Sequence, residues 1–400
     1  MEKLLRNTGD IGVKSQKQIT FFLFLTAACV PFATVDIAGI GVLLFFTVPL
    51  LILVVMPMLK SKLVVSKPGV MLFLFLCYGI MASLWSPSFS TSFLYQYVKV
   101  VLLIICIYPN CLAVSNQKAL VNGSVVSCLM ICVFMLMGSS AIAYVEGRAT
   151  ISVFGASQDP NYIAYAFFFA FTIALDGIFS NKKAIKKFLC VILLAVILYC
   201  VLLTGSRGSW ISCASIVLIY TLSKYGKSRK TIVLIAILLI ALIIIYPFVL
   251  QLLPADLARR FTYEHLMHNN GSNRLDIWIK TWNIAVESPI HFLVGYGTGS
   301  SVAITGRATH NYFLQLIIEE GLIGLSLFVC FAFSWLRVFV KEKSTLSLCV
   351  YVACLVMGLT LSLNTSYYFW VTFLLCILCR GLKGNTGYWD IKSKMGVSFQ

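Results

Sequence analysis

Three short polar stretches interrupt an otherwise apolar chain and carry side chains that could do chemistry. Two of them hold an arginine, Arg207 and Arg274, and the third opens with His310. A guanidinium group matches the oxygens of a phosphate, and an imidazole can accept a proton near neutral pH. The stretches are TGSRGSW at 204–210, GSNRLDIW at 271–278 and ATHNYFLQLIIEEGLIGL at 308–325.

The first stretch lies at the predicted junction of two apolar spans. A short Gly/Ser link with one snorkelling arginine would need no function beyond a tight turn. Alternatively, Ser206, Gly208 and the backbone amides that open the next helix accompany Arg207 in holding an anion. The stretch alone favours neither interpretation.

The second stretch is typical of a helix start. Ser272 or Asn273 can cap the helix, which would leave Arg274 in the first turn, where the helix dipole disfavours a cation. Asp276 would offset that cost without any ligand. A phosphate bound at this helix end would satisfy both the dipole and Arg274, and we favour this second interpretation.

The third stretch predicts a helix from Thr309 with His310, Gly321 and Gly324 on one face. The glycines would then form a groove beneath the imidazole for another helix or a lipid tail. A lone histidine at a membrane interface is more often structural than catalytic. The adjacent Asn311 and the aligned glycines favour a functional His310.

The same stretch is predicted to consist of two pieces, one at the membrane surface and one entering the bilayer near Glu319. Either Glu319 or Glu320 could orient His310, but both are too far along one straight helix for direct contact. A break between the pieces would be needed, and no residue in the sequence marks one.

Other candidates are weaker. Glu264, His265 and His268 in EHLMH lack a second ligand pair, so we expect no metal site. Asp176 is expected to be solvated near the end of its span, and its isolation argues against a proton relay. The 14 cysteines lie in or beside apolar spans and predict no disulfide framework. We expect no cofactor and no nucleic-acid partner.

The elements that must position these residues are membrane helices. Of the 400 residues 60% are hydrophobic and 11% charged, a composition that excludes a soluble domain. Hydropathy windows predict an all-α polytopic helical bundle with roughly twelve transmembrane helices and one large outward-facing loop, which the resemblance described below implies is periplasmic. The predicted spans are 18–36, 38–59, 69–85, 95–113, 124–145, 160–180, 188–204, 209–224, 231–250, 318–340, 345–363 and 366–380.

These spans divide the chain into four regions. Residues 1–250 hold helices one to nine, and 251–309 form an outward-facing subdomain that includes an amphipathic helix from Leu275 to Leu293. Residues 310–381 hold an interfacial helix and helices ten to twelve, and 382–400 form a polar cytoplasmic tail.

The positive charge predicts that both termini are cytoplasmic. Most of the 31 Lys and Arg residues fall in segments that would then face the cytoplasm, and they are mostly lysine. The outward set is mostly arginine, which suggests anion binding beyond topology. It consists of Lys99, Arg148, Arg207, Arg259, Arg260, Arg274, Lys280 and Arg307.

The third stretch resembles the O-antigen ligase family. His310-Asn311, nine residues, Gly321, two residues and Gly324 fit that family's histidine-to-glycine pattern. The SRGSW turn, NRLDIW followed by GYGTGS at 295–300, and DPN at 159–161 are also similar to the wider superfamily of ligases and polymerases. These motifs lie between about Arg148 and Gly324, whereas the helical layout resembles the family along most of the chain.

The resemblance implies a GT-C-like glycosyltransferase in the inner membrane of a Gram-negative bacterium, with a periplasmic active site. The donor would be O-antigen on undecaprenyl diphosphate, the acceptor lipid A-core oligosaccharide, and membrane lipids would surround both. By match to the family motifs, Arg207, Arg274 and His310 would be catalytic, without metal or ATP. Asn161, Ser206, Asn311, Gly321 and Gly324 would bind diphosphate or glycan, and Arg148 joins them from its charge alone.

The residue types fit direct displacement. Arginines would stabilise the leaving diphosphate, His310 would deprotonate the acceptor hydroxyl, and the anomeric carbon would invert. An O-antigen polymerase would use the same donor with a second lipid-linked repeat as acceptor. A transporter of a lipid-linked glycan is a third alternative, but it would place ionisable residues near the bilayer midplane rather than at one face.

Overall fold

A computed structural model describes most of the chain. The described residues are 13–33, 35–37, 40–60, 67–89, 91–107, 114–137, 142–145, 148–153, 156–226, 228–251, 253, 255–262 and 270–378. The predicted EHLMH group and the polar tail lie outside them.

The described chain is mainly helical. The first eight helices are α1 (Val13–Ala28), α2 (Leu44–Lys60), α3 (Lys67–Ser83), α4 (Thr91–Ile107), α5 (Val114–Met137), α6 (Pro160–Ser180), α7 (Ala184–Leu203) and α8 (Arg207–Tyr225). They are followed by α9 (Arg229–Gln251), α10 (Ala255–Arg259), α11 (Asn270–Glu287), α12 (Pro289–Val294), α13 (Ser301–Thr305), α14 (Tyr312–Glu342), α15 (Thr345–Gly358) and α16 (Tyr367–Leu378). A helix lies in each of the predicted apolar spans.

Two small antiparallel ribbons correct the all-α prediction. Strand β1 (Asp36–Ile37) pairs with β2 (Ile40–Gly41). Strands β3 (Ile142–Val145), β4 (Arg148–Val153) and β5 (Ala156–Ser157) form a second sheet in that order. The predicted span 124–145 was therefore wrong at its end, because a short β-branched and aromatic run is as apolar as a helix and hydropathy does not separate the two.

The chain is a membrane protein by the length and apolarity of its helices. Four helical segments are long and apolar enough to cross a membrane: Gln117–Met137, Pro160–Ser180, Ala184–Leu203 and Tyr312–Glu342. Five shorter apolar helical segments accompany them: Leu44–Val54, Lys67–Ser83, Phe93–Ile107, Thr345–Gly358 and Tyr367–Ile377.

Helix α6 lies at the centre of the bundle. It is apolar around its whole circumference, and its residues from Pro160 to Ala174 are buried except Tyr162. A helix with no polar stripe must be enclosed by neighbours, and α5, α7, α8, α15 and α16 pack against it. Aromatic rings join it to α16, with Tyr165 and Phe369 centroids 5.8 Å apart. Because α6 is enclosed by its neighbours, its packing fixes the position of Asp159 at its polar N-terminus.

Helix α14 is broken. Gly321 has φ 65° and ψ −166°, far from helical values, so the helix consists of a short first piece and a long second one. The break between two pieces, which the sequence did not mark, lies at Gly321, after both glutamates, and the placement of the two pieces relative to the membrane stays a prediction.

The break lets a loop dock on α14. The amides of Tyr296 and Gly297 donate to the carbonyls of Ile318 and Glu319 at 2.9 and 2.8 Å, carbonyls that a continuous helix would use itself. We call residues 295–300, GYGTGS, the glycine loop. Gly321 permits the close approach, because a Cβ there would lie 2.4 Å from the Leu293 carbonyl oxygen.

Candidate active site

Arg207 is the first residue of α8, at the tight turn that follows α7. Gly205 makes the turn with φ 58°, and Ser206 caps α8 by accepting from the Ser209 amide at 3.4 Å. Arg207 is half-buried at a helix N-terminus, where the dipole disfavours a cation and favours an anion. The Ser206 hydroxyl serves as the cap, and Gly208 packs against Thr360, so a Cβ there would lie 2.4 Å from the Thr360 hydroxyl.

Arg148 ties this turn to the start of α6. Its Nε donates to the Thr204 carbonyl and one terminal nitrogen donates to Asn161 Oδ1, both at 2.8 Å. Asn161 Nδ2 in turn donates to Asp159 Oδ1 at 2.8 Å, and the same oxygen accepts from the Asn161 amide. Arg148 and Asn161 are both buried. Their side chains therefore hold the Arg207 turn beside Asp159, a structural use that their prediction as substrate ligands did not include.

Arg274 lies on α11, but not in the first turn. The helix begins at Asn270, so the predicted capping by Ser272 or Asn273 was wrong. The predicted amphipathic helix over 275–293 is also two helices, because Ser288 caps α12 and Pro289 opens it. Arg274 is half-buried and is placed by the packing of α11 against α14 rather than by a cap.

His310 lies before α14, not within it. The helix begins at Tyr312, and Asn311 caps it by accepting from the amides of Phe313 and Leu314 at 3.0 and 3.2 Å. His310 has φ 46°, a left-handed conformation that is strained for a histidine and persists only when the surroundings fix it. The predicted helix start at Thr309, and with it the alignment of His310 above the glycines, was wrong.

The backbone is held in place on both sides of His310. The Thr309 carbonyl accepts from Trp278 Nε1 at 3.0 Å, and the Thr309 hydroxyl lies 3.1 Å from the Ser362 hydroxyl. On the other side Tyr312 is fully buried, with its ring 5.5 Å from that of Phe369. Helix α11, the segment after α15 and the aromatic core thus fix the backbone of His310.

Electrostatics show that these groups share one site. Burial first, and then repulsion from Arg260, lowers the pKa of Arg207. Burial lowers the pKa of Arg274, with further lowering by Arg207 and Arg260 and an opposing effect of Asp159. We call Arg207, Arg260 and Arg274 the arginine cluster; all three remain charged at neutral pH.

Charges of the same site also act on His310. Burial lowers its pKa, repulsion from Arg274 lowers it further, and Asp159 opposes both. The imidazole is consequently neutral at neutral pH and able to accept a proton. A proton acceptor beside several fixed cations suits a reaction in which a hydroxyl is deprotonated while an anion leaves.

Two members of this site were not among the predicted site residues. Asp159 appeared only within the DPN string, and Arg260 only as an additional candidate from charge alone, together with Arg259 and Arg307. Arg259, the neighbour of Arg260, is exposed, as is Arg307. No feature of the sequence separates Arg260 from Arg259, because the difference depends on the direction in which α10 ends.

The predicted groove at Gly321 and Gly324 does not form. The space beside Gly321 is filled by the backbone of Leu293 and Gly295, and a Cβ on Gly324 would lie 2.3 Å from the Glu320 Cβ. The glycines thus admit a loop and a side chain of the protein itself. Asp176 also differs from its prediction: it is buried and accepts from the Tyr220 and Ser180 hydroxyls, both at 2.9 Å.

Comparison with known proteins agrees with the site. Residues 190–329 match the family model described as O-antigen ligase, a range that holds the arginine cluster, His310 and both glycines. Over these residues the chain is similar to the O-antigen ligase family. In the part that the structure describes, no three His, Cys, Asp or Glu side chains are grouped as metal ligands would be.

Curated proteins similar to this chain carry the name "Putative polysaccharide ligase". The protein is 28% identical to one from Rickettsia conorii over 183 residues, 41% of this chain and 42% of the relative. It is 28% identical to one from Rickettsia typhi over 178 residues, 40% of this chain and 42% of the relative. The matched part thus spans less than half the length of these relatives.

One solved structure is also similar to this chain. It belongs to the study titled "Structural coordination of polymerization and crosslinking by a peptidoglycan synthase complex". The TM-score is 0.49 and the identity 14%, over 82% of this chain and 99% of that chain.

Proposed function

We propose that the protein is an O-antigen ligase. It transfers a glycan from undecaprenyl diphosphate to a sugar of lipid A-core oligosaccharide, at the periplasmic face of a Gram-negative inner membrane. Both termini are then cytoplasmic. The similarity of residues 190–329 to the O-antigen ligase family supports the ligase-type reaction, and the chemistry of the site supports the donor.

The observation that carries the proposal is the convergence of the arginine cluster beside a neutral His310. Burial, and then repulsion from neighbouring arginines, lowers the pKa of Arg207 and Arg274, so a bound anion would be favoured in this half-buried site. A lipid diphosphate supplies such an anion, and its charge grows as the glycan leaves. Each cation at about 4 Å from a phosphate charge gains roughly 4 kcal/mol at an effective dielectric near 20.

The proposed step is a single displacement at the anomeric carbon. The acceptor hydroxyl gives its proton to His310 as its oxygen forms a bond to that carbon. The bond from the carbon to the diphosphate oxygen breaks, and Arg207 and Arg274 stabilise the released diphosphate. The donor bond is already activated, so no ATP is needed, and the cluster takes the charge-neutralising part that a divalent metal often has. Attack from the opposite face inverts the anomeric configuration.

The remaining predicted residues take supporting parts in this proposal. Arg148 and Asn161 hold the Arg207 turn beside Asp159, and Ser206 and Asn311 cap the two helices that present Arg207 and follow His310. Gly321 and Gly324 give the space in which α14 and the glycine loop meet, and we assign them no contact with substrate.

Reconstitution in liposomes tests the proposal. Purified protein is mixed with a labelled glycan on undecaprenyl diphosphate and with core lipid, without ATP and with chelator. We expect labelled core lipid with inverted anomeric configuration. Longer glycan on the lipid carrier would identify a polymerase, and translocation without transfer would identify a transporter. Retained configuration would remove the single displacement.

A further inference from the structure

One enclosed acidic group near the site is not used by the proposed reaction. Glu319, on the first piece of α14, is 1% exposed. A carboxylate at this depth is costly unless hydrogen bonds satisfy its oxygens. Glu319 is satisfied on every side, which marks it as part of a built structure.

The donors to Glu319 come from three separate segments. On α14 itself Gln315 Nε2 donates at 3.1 Å. From the segment between α15 and α16, Asn364 Nδ2 donates at 2.6 Å. The glycine loop and the start of α13 add the amides of Gly299 and Ser301 and the Ser301 hydroxyl. We call Glu319, Gln315 and Asn364 the carboxylate network.

This network closes a ring that contains His310. The Leu363 amide donates to Gln315 Oε1 at 2.9 Å, so both Gln315 and Glu319 hold the segment from Leu361 to Ser366 against α14. The same segment carries Ser362, whose hydroxyl lies 3.1 Å from that of Thr309. The ring therefore runs from Glu319 through Asn364 and Ser362 to Thr309, and back through His310 to the start of α14.

We propose that Glu319 is a positioning residue for His310, acting through Asn364 and Ser362. A left-handed φ at His310 costs free energy that its surroundings must supply. Fixing Ser362 fixes Thr309, and with α14 held on the other side His310 has one orientation. The inference rests on the proposed function, in which that orientation aims the imidazole at the acceptor hydroxyl.

The adjacent Glu320 supplies a matched control. It is also fully buried, but its Oε1 lies 3.5 Å from the Thr298 hydroxyl, and its Oε2 has no hydrogen-bond partner within the described residues. Glu320 has no hydrogen bond to the segment that carries Ser362. A purely structural need for a buried acid would make the two glutamates alike, whereas positioning of His310 involves Glu319 alone.

The test compares Glu319→Gln, Asn364→Ala, Ser362→Ala and Glu320→Gln in the reconstituted full-length protein. An amide at 319 would face donors on both sides and release Asn364. We expect kcat per folded enzyme to fall roughly 10- to 100-fold in Glu319→Gln, because small misplacement of a catalytic group has that effect. Ser362→Ala loses one neutral hydrogen bond and is expected to lose about fivefold. The affinity for undecaprenyl diphosphate should be unchanged, as should both constants in Glu320→Gln.

The double variant Glu319→Gln with Asn364→Asp tests the pairing directly. It exchanges the acid and the amide while keeping one donor and one acceptor across the contact. Recovery of kcat relative to Glu319→Gln would show that the two residues act as a pair. A separate loss caused by each change would contradict it.

A second readout does not depend on transfer activity. The rate at which diethyl pyrocarbonate modifies His310, followed by mass spectrometry, should rise several-fold in Glu319→Gln and Ser362→Ala but not in Glu320→Gln. His291 serves as the internal reference. If the wild-type protein transfers no glycan, the proposed function fails, and this rate still decides the positioning.

Three results would overturn the inference. The first is wild-type kcat and wild-type His310 reactivity in folded Glu319→Gln. The second, which applies if that variant does not fold, is wild-type kcat and wild-type His310 reactivity in Ser362→Ala and Asn364→Ala. The third is a parallel loss of donor affinity and kcat, which would place the effect at the arginine cluster instead.

Discussion

The arginine cluster and the carboxylate network flank His310. They differ in the sign of their charges and in how those charges are surrounded. In the cluster, burial and then repulsion from neighbouring arginines lower the pKa of Arg207 and Arg274. In the network, a single buried carboxylate accepts from donors of three segments. A concentration of positive charge is what an anion-binding site needs, and a fully hydrogen-bonded carboxylate is what a rigid support needs. The difference separates residues that we expect to meet substrate from residues that hold the site.

The largest effect is expected at His310 itself. His310→Ala removes the proton acceptor, and we expect kcat to fall about 10²- to 10⁴-fold with little change in donor affinity. Transfer of labelled glycan to core lipid measures it. His291→Ala is the control, because His291 stacks on Tyr296 with ring centroids 4.0 Å apart and has no place in the proposed reaction. Wild-type turnover in His310→Ala would assign the base elsewhere.

Donor binding at the arginine cluster should depend on the planar shape of the guanidinium group as well as on its positive charge. Arg207→Lys and Arg274→Lys keep the positive charge but lose the planar fork, and we expect kcat/KM to fall roughly 10- to 100-fold, the value of one charged hydrogen bond. Competition with undecaprenyl diphosphate checks that donor binding weakens. Arg307→Lys, an exposed position on the same part of the chain, should behave as wild type. Equal activity in all three variants would mean that the cluster does not contact the diphosphate.

Substitutions at the break in α14 should lower the free energy of unfolding rather than change the reaction itself. Gly321→Ala combines a positive φ with a Cβ placed 2.4 Å from the Leu293 oxygen, and we expect a loss of about 2–4 kcal/mol or failure to fold. Gly226→Ala has a similar φ of 68° but nothing within 4 Å of the new Cβ, so about 1 kcal/mol is expected. Thermal unfolding in detergent compares them. Equal losses would show that the docked loop contributes nothing at Gly321.

The smallest effect is a shift in pH dependence. His310 acts as a base only when neutral, so the rate rises with pH through its pKa and is constant above it. Arg274→Gln removes a repelling cation, which raises that pKa and moves the acid limb to higher pH. Asp159→Asn removes the opposing anion and moves the limb to lower pH, while the asparagine still caps α6. If the profiles of kcat against pH move in the reverse directions, Arg274 and Asp159 do not set the pKa of the group that limits the rate.

The sequence by itself determined the class of the protein and the identity of the central residues. A 60% hydrophobic chain with recurring apolar windows can only be a helical membrane protein, and a helix lies in every predicted span. Arg207, Arg274 and His310 stood out because ionisable residues are rare in such a chain. Local chemistry also predicted the division of the stretch that opens with His310, since polar and apolar halves cannot share one environment.

Only the tertiary structure decided how these residues meet. The break at Gly321 depends on a loop docking from Leu293 to Gly297, a contact between segments that no local pattern encodes. The same holds for the selection of Arg260 over Arg259, for the pairing of Glu319 with Asn364 45 residues away, and for the left-handed His310. Each depends on packing between segments distant in the chain, so residue types could name the participants but not their partners.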